Sequence, residues 1–321
     1  MAKITTASVL IESIKRRAAI PENQATFEAE DFLEFADEEL LLALVPVIIS
    51  LHEDFLLYEV EVPLEAGKSE YEIPSRAVAN KLRDVQYKPD PSTLLEMTRI
   101  GIGERFADYN SGGGNDSVKR YYIKNNKIVL TPALGNTSAS GSLVFIFYIK
   151  PSSLVLEDRV GVIQGINDLN NGNTEIVLNE VPENFNTSVL YDVYKAESPS
   201  SILNIDMTPV SINTINRSVT FATTDIPDEL RVGDHLAQAQ EATIPQVPNE
   251  LQAMLAQMVA CRCLEAQGDT NGLQNALLKL KQMTDASGTL IDNRVEDAPQ
   301  KIVNRHSLLR AGKSGRNFNR R

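Results

Sequence analysis

The chain has 321 residues, and 43 aspartates and glutamates outnumber 31 lysines and arginines, which gives a net charge of −12 at neutral pH. Because binding to a nucleic-acid backbone needs clustered lysine and arginine, this balance argues against a general nucleic-acid-binding domain. The hydrophobic content of 42% is ordinary for a globular protein, and the length predicts two domains, or one domain with a large insertion.

The N-terminal segment lacks the uninterrupted apolar core of a secretory signal, and the longest apolar stretch, 40–51, is too short to span a membrane. We therefore expect a soluble protein that is made in the cytoplasm. The two cysteines, Cys261 and Cys263, point about 200° apart on a predicted helix. We predict that they are packing residues rather than a disulfide or a zinc site.

Residues 1–57 have the periodicity of helices. A first helix ends at Pro21, and a second one becomes densely apolar in its later half, where we expect Pro46 to kink or break it. The predicted apolar face of the first helix consists of Val9, Leu10, Ile14 and Ala18.

From Tyr58 onward the apolar residues alternate with polar ones, which is typical of strands. The stretch YYIKNNKIVL predicts a hairpin in which Asn125 and Asn126 take positive φ in the turn. Further short strands are predicted at LVFIFYIK, GVIQGI, TEIVL, VLYDVYK and SVTFA. Many short strands between Gly, Asn and Pro turns favour a sandwich or a barrel.

Helical periodicity returns at 246–292 and predicts a helical hairpin around the turn GDTNG. The predicted apolar stripes are Leu251, Met254, Leu255, Met258 and Val259 in its first helix, and Leu273, Leu277, Leu280 and Met283 in its second. The predicted fold class is therefore α+β. A helical bundle is built from both ends of the chain (1–57 and 246–292), with a β-rich domain inserted at 58–245 and an extended arm at 293–321.

The chain ends in a basic tail. Its last 21 residues contain seven basic side chains and no acidic one, and without them 24 basic residues remain against 43 acidic ones, a net charge of −19. No apolar periodicity runs through the arm, so we predict that it is disordered until it binds a partner.

The sequence has few features of a catalytic or cofactor site. Two GKS triplets begin at Gly67 and Gly312, but Val62 and Ser307 stand where a phosphate-binding loop needs its first glycine. The histidines His52, His235 and His306 have no partner at metal-ligand spacing, so we predict neither a cofactor nor a metal site. The acidic run from 28 to 39 has helical spacing, which favours a solvated face or an interface over a catalytic pair. We expect a protein that is not an enzyme.

Three parts of the chain resemble the head-to-tail adaptor proteins of tailed bacteriophages, also called connector or neck-ring proteins. They are EDFLEFADEELLLALVPVIISLHEDFLLYEVEVPL, YEIPSRAVANKLRDV, and PNELQAMLAQMVACRCLEAQGDTNGLQNALLKL with the following LIDNRVEDAPQKI. The resemblance covers most of both helical ends and the first part of the β region.

The resemblance implies a virion structural protein that forms a homo-oligomeric ring, generally a dodecamer, beneath the portal protein at the head-tail junction. Such a ring is assembled in the host cytoplasm, contacts downstream tail or neck proteins, and passes the genomic DNA without sequence-specific binding and without a membrane. Its C-terminal arm docks on the portal. In this sequence the implied docking residues are Arg305, Leu308, Leu309, Arg310, Lys313, Arg316, Arg320 and Arg321.

Two alternatives remain open from the sequence. The chain could be another tail or baseplate subunit whose β domain binds a different protein. Less favoured is a tail-associated glycan-degrading enzyme with carboxylates in the β region, for which Glu157 and Asp192 are examples.

Overall fold

The computed structural model has a mixed α+β fold, and it describes residues 5–21, 26–51, 53–106, 120–131, 141–196 and 202–291. In these ranges the helices are α1 (Ala7–Arg17), α2 (Ala29–Glu39), a π-helical turn (Leu40–Leu44), α3 (Val45–Leu51), α4 (Asn249–Gln267) and α5 (Thr270–Ile291). A 3-10 helix, Glu53–Leu56, leads from α3 into the first strand.

Helix α4 is buried on nearly every side, since it contacts α1, α2 and α5. Apolar side chains from both ends of the chain share one cluster with it, among them Leu10, Phe32 and Leu255, which are all fully buried. The amide of Gln257 links three helices: its Oε1 accepts from Arg17 Nη1 at 3.0 Å, and its Nε2 donates to the carbonyl of Ala276 at 3.3 Å. A helix that is apolar all round needs several partners, and here they come from both ends of the sequence.

The helix that contains Pro46 is neither broken nor ended there. A π-helical turn precedes the proline, and Pro46 is the second residue of α3. Proline has no amide hydrogen and its ring collides with the carbonyl four residues earlier in a regular α-helix, so a wider turn before it relieves the collision.

The first β unit, 57–149, consists of two sheets with a shared core. Among the described strands their orders are β1-β8-β3-β4 and β2-β7-β6-β5. The predicted hairpin is confirmed, because β6 pairs with β7 and the turn residues Asn125 and Asn126 have φ of 49° and 59°. The strands are β1 (Leu57–Pro63), β2 (Glu70–Glu72), β3 (Ala77–Asp90), β4 (Thr93–Glu96), β5 (Thr98–Arg99), β6 (Arg120–Lys124), β7 (Lys127–Thr131) and β8 (Ser142–Ile149).

The second β unit is a third sheet, which we call the curled sheet, and it has the order β13-β12-β16-β10-β11-β15-β14 over the described part of 161–238. Its two edge strands, β13 and β14, are separated in the chain by Thr208 alone, so the sheet curls until its edges meet around an apolar interior. Its strands are β10 (Gly161–Asp168), β11 (Asn173–Leu178), β12 (Tyr191–Tyr194), β13 (Ile202–Met207), β14 (Pro209–Asn213), β15 (Ser218–Ala222) and β16 (His235–Gln238). The short strands β9 (Ser153–Leu154) and β17 (Glu241–Ala242) pair in parallel beside it.

The helical hairpin is confirmed, with Gly268 at φ 73° closing α4 before α5 begins. One of its predicted stripes is wrong in part. Leu277 is 47% exposed, and the buried position on that face belongs to Ala276. Both residues fit a helical stripe, and only the packing of α5 against α4 selects between them.

Candidate functional site

The predicted docking residues at 305–321 lie outside the described residues, and so do His52 and His306. Their roles stay predictions. The structure instead shows which charged and apolar side chains the described body presents on its surface.

The acidic run on α2 has several local roles. The side chain of Glu28 and that of Asp31 form a reciprocal capping box at the helix start, where carboxylates also favour the positive end of the helix dipole. Near the other end, Arg262 of α4 pairs with both Glu38 and Glu39. The capping box stabilises the start of α2, and the two ion pairs of Arg262 join α2 to α4.

An exposed row runs along α2 and into the π-helical turn that continues it. We call it the α2 stripe, and it consists of Glu30, Glu34, Glu38 and Leu42. Leu42 is 73% exposed. A row with a spacing of four drifts by about 40° per step around an ideal α-helix, and the π-helical turn at Leu40–Leu44 offsets part of that drift. The π turn therefore helps to keep an apolar side chain in line with a row of carboxylates.

Asp37 lies beside this stripe and faces inward. Its Oδ1 accepts a hydrogen bond from the backbone N–H of Leu154 at 2.8 Å. It lines a cavity of about 150 Å³ together with residues of the segment 150–153. Burial raises the pKa of Asp37 to about 6, and this effect outweighs the hydrogen bonds, which act to lower the pKa. The carboxylate thus joins α2 to the start of β9 and carries a desolvation cost at neutral pH.

A second exposed surface lies on α5. The side chains of Leu277 and Leu278 are 47% and 64% exposed. Lys281 is exposed on the same side, three and four residues further along the helix, and forms no ion pair with any described residue. We call Leu277, Leu278 and Lys281 the α5 outer face. It combines apolar area with positive charge.

A buried polar cluster joins the first β unit to the curled sheet. Arg76 Nη1 lies 2.7 Å from Asp192 Oδ2 and 3.9 Å from Asp206 Oδ1. Burial raises the pKa of the nearby Tyr58 to about 12, and burial followed by the charge of Asp192 raises the pKa of Asp206. Ser152 is also in contact, since Arg76 Nη2 lies 3.3 Å from its Oγ. The cluster fills its own space, and its contacts are those of an internal connection between two sheets.

The two carboxylates considered for catalysis have separate partners. Asp192 holds Arg76, whereas Glu157 Oε1 accepts from Ser8 N at 3.1 Å and from Ser8 Oγ at 2.5 Å, at the start of α1. Glu157 also lines an open groove of about 570 Å³ whose other carboxylates belong to Asp158, Glu180 and Glu183. Within the described residues the hydrogen bonds of Glu157 and Asp192 go to different partners, and none of these bonds joins the two carboxylates as a catalytic pair.

His235 is buried in the curled sheet, and its ring stacks on Tyr194 with ring centroids 5.3 Å apart. Its Nδ1 has no hydrogen-bond partner in the described part of the chain, and burial lowers its pKa to about 4. Cys261 and Cys263 are free thiols packed in α4. No group of three or more His, Cys, Asp and Glu residues in the described ranges is placed to hold a metal ion.

Sequence reasoning missed the two exposed faces. A hydrophobic pattern marks Leu42, in the dense apolar stretch 40–51, and Leu277, in the predicted stripe of α5, as core candidates, because it registers that a residue is apolar and not which way its helix packs. The one available signal was the spacing of four in the row from Glu30 to Leu42.

Neither protein-family models nor curated proteins match this sequence. Among the described helices, none is long and apolar enough to cross a membrane.

Proposed function

We propose that this chain is the subunit of a head-to-tail adaptor ring in a tailed bacteriophage. The ring docks on the portal protein through the arm 293–321 and provides a channel for the DNA. Its place is the head-tail junction of the virion, and its role is structural rather than enzymatic.

The division of charge carries this proposal. The last 21 residues hold seven basic side chains and no acidic one, whereas the rest of the chain has a net charge of −19. A polar basic segment without a core of its own gains order by binding an acidic surface. Arginines such as Arg305 and Arg310 suit bidentate pairing with carboxylates, and Leu308 and Leu309 supply apolar anchors between them.

The architecture supports an arm that projects from a rigid base. Helix α5 reaches Ile291 and packs on α4, so the arm at 293–321 follows a helix held by the rest of the helical region. We propose that the helices at 1–57 and 246–292 form a bundle that builds the ring. The inserted β-rich domain at 58–245 then faces outward or toward the next tail component.

An acidic body fits a conduit for DNA. Negative charge on a channel wall repels the phosphate backbone and keeps the DNA from adhering while it moves. Such repulsion does not depend on the DNA sequence, so it needs no side chain that reads bases. The net charge of −19 outside the last 21 residues supplies the negative charge for each subunit of the ring.

The test is co-sedimentation with the portal protein from the same genome, followed by imaging of the pellet. The full-length chain is expected to bind as a ring, and a 1–292 truncation is expected not to bind. A matched control keeps the arm at full length but replaces five of its six arginines, those at 305, 310, 316, 320 and 321, with glutamine. Loss of binding in this control shows that charge rather than length is needed.

Binding that survives both changes would place docking elsewhere on the chain. If neither form binds, the adaptor proposal fails, and a baseplate subunit or a tail enzyme becomes the better account. We also expect the isolated protein to be monomeric or weakly associated, because ordering the arm has an entropic cost that only the portal contact offsets. Stable rings without portal would contradict this templating step but not the ring.

A further inference from the structure

We propose that neighbouring copies of this protein join head to tail through their helices, with the α5 outer face of one copy seated against the α2 stripe of the next. This inference rests on the proposed function, since a ring is a closed set of such heterologous contacts. It specifies which surfaces form them.

The apolar part of each surface is the first support. Leu42 is 73% exposed on the α2 stripe, and Leu278 is 64% exposed on the α5 outer face beside Leu277. Single exposed leucines are common on monomeric proteins. Here Leu278 lies beside the unpaired Lys281, and Leu42 ends a row in which Glu30 and Glu34 are unpaired. An apolar centre with a polar rim is the usual composition of a protein interface.

The charges of the two surfaces are complementary. Glu30 and Glu34 form no ion pair with any described residue, in contrast to Glu38, which Arg262 neutralises. Lys281 on the α5 outer face is likewise unpaired within the described ranges. Opposite charges on two surfaces steer them together, and like charges oppose the pairing of a surface with its own copy.

The two surfaces also point in different directions. On α4, Gln257 faces α5 through its bond to the carbonyl of Ala276, and Arg262 faces α2 through its pairs with Glu38 and Glu39. Residues five apart on an α-helix point about 140° apart, so α2 and α5 lie on different sides of α4. Each copy therefore presents both halves of the contact, which favours a chain of copies over a two-fold dimer.

The test is thiol cross-linking with the variants Leu42→Cys and Leu278→Cys, two exposed positions that the contact brings together, in concentrated solution and on the portal protein. Mixing the two single variants is expected to give a covalent heterodimer, and a chain that carries both is expected to give a ladder of multimers. The native cysteines provide little background, because burial raises the pKa of both thiols, that of Cys263 to about 11.

Charge reversal makes the test specific. In the Leu42→Cys chain, changing both Glu30 and Glu34 to lysine is expected to lower the cross-linked yield about tenfold, and changing Lys281 to glutamate in the Leu278→Cys partner is expected to restore part of it. Lys124→Glu is the matched control, since this lysine is exposed on the first β unit and belongs to neither surface.

Three results overturn the inference: no cross-link with or without portal, a Leu42→Cys homodimer alone, or a cross-link from Leu42→Cys to Leu309→Cys. The last would mean that the basic arm covers the α2 stripe. These outcomes are distinct from failure of the adaptor proposal. Cross-linked ladders without portal binding would support the contact between copies and refute the proposed function. Portal binding without ladders would support the proposed function and refute this contact.

Discussion

Arg76 and Asp192 lie 116 positions apart in the chain and meet in a buried ion pair, with 2.7 Å between Nη1 and Oδ2. Their side chains are 3% and 1% exposed. Asp192 also accepts the backbone N–H groups of Asp206 and Gln240, each at 2.9 Å. Asp192 itself lies in β12, so this one carboxylate connects Arg76 of the first β unit to β12, to β13 and to the residue before β17. The contacts fix the two β units relative to each other.

Replacing Asp192 with asparagine is expected to destabilise the protein by about 3–5 kcal/mol, because it leaves the Arg76 guanidinium buried without its counter-charge. The double variant Arg76→Met with Asp192→Asn removes both charges and is expected to recover a large part of that loss. Urea denaturation measures both effects. As a control, Lys127→Met breaks the exposed pair with Glu72 and is expected to cost less than about 1 kcal/mol. Equal losses for the buried and the exposed pair would contradict this account.

Asp37 is expected to make stability fall as the pH rises from about 4 to about 6. Its pKa in the folded protein is raised from 3.8 to about 6, so in this window the folded state binds more protons than the unfolded state. Asp37→Asn keeps an acceptor for Leu154 N and removes the charge. The variant is expected to exceed the wild type by about 1–2 kcal/mol at pH 7.5 and to lose this advantage at pH 4.

Urea denaturation of both proteins across that range measures the difference directly, so other titrating groups cancel. Glu30→Gln, which removes an exposed carboxylate of the same helix that does not shift the pKa of Asp37, is the matched control. An Asp37→Asn variant that is less stable than the wild type at pH 7.5 but not at pH 4 would contradict this prediction, because it would show that the charged carboxylate stabilises the fold.

His235 is expected to give the opposite pH dependence of stability. Its pKa is lowered from 6.5 to about 4 by burial, so between these values the unfolded state binds more protons and stability falls as the pH falls. His235→Phe keeps a ring against Tyr194 and removes the titration. The wild type is expected to lose about 2–3 kcal/mol relative to this variant between pH 7 and pH 4, measured by chemical denaturation. Parallel stability curves for the two proteins would contradict the assignment.

Deleting residues 293–321 is expected to leave the body folded, with a melting temperature within about 2 °C of the full-length value. The physical reason is that no apolar periodicity runs through the deleted segment, so it has no core-facing side to lose. Thermal unfolding followed by circular dichroism measures this. A large fall in melting temperature would mean that the arm packs on its own subunit.

Local patterns in the sequence predicted the main secondary-structure elements. The turn at Asn125 and Asn126, the helical hairpin and the succession of short strands all follow from residue type and spacing, because these effects act over a few residues. The same kind of reasoning placed Leu277 on the buried face, and here it was wrong. The two faces of α5 differ little in composition, so the choice between Leu277 and Ala276 depends on α4.

The charge division, the helices at both ends and the β-rich middle follow from composition and periodicity, which are properties of the chain alone. The folded structure was needed to show which acidic residues are paired, that Asp192 meets Arg76, and that the edges of the curled sheet come together. Those outcomes depend on contacts between residues far apart in the chain. Such contacts leave no local pattern, because the free energy that selects them comes from burial and pairing in the folded state.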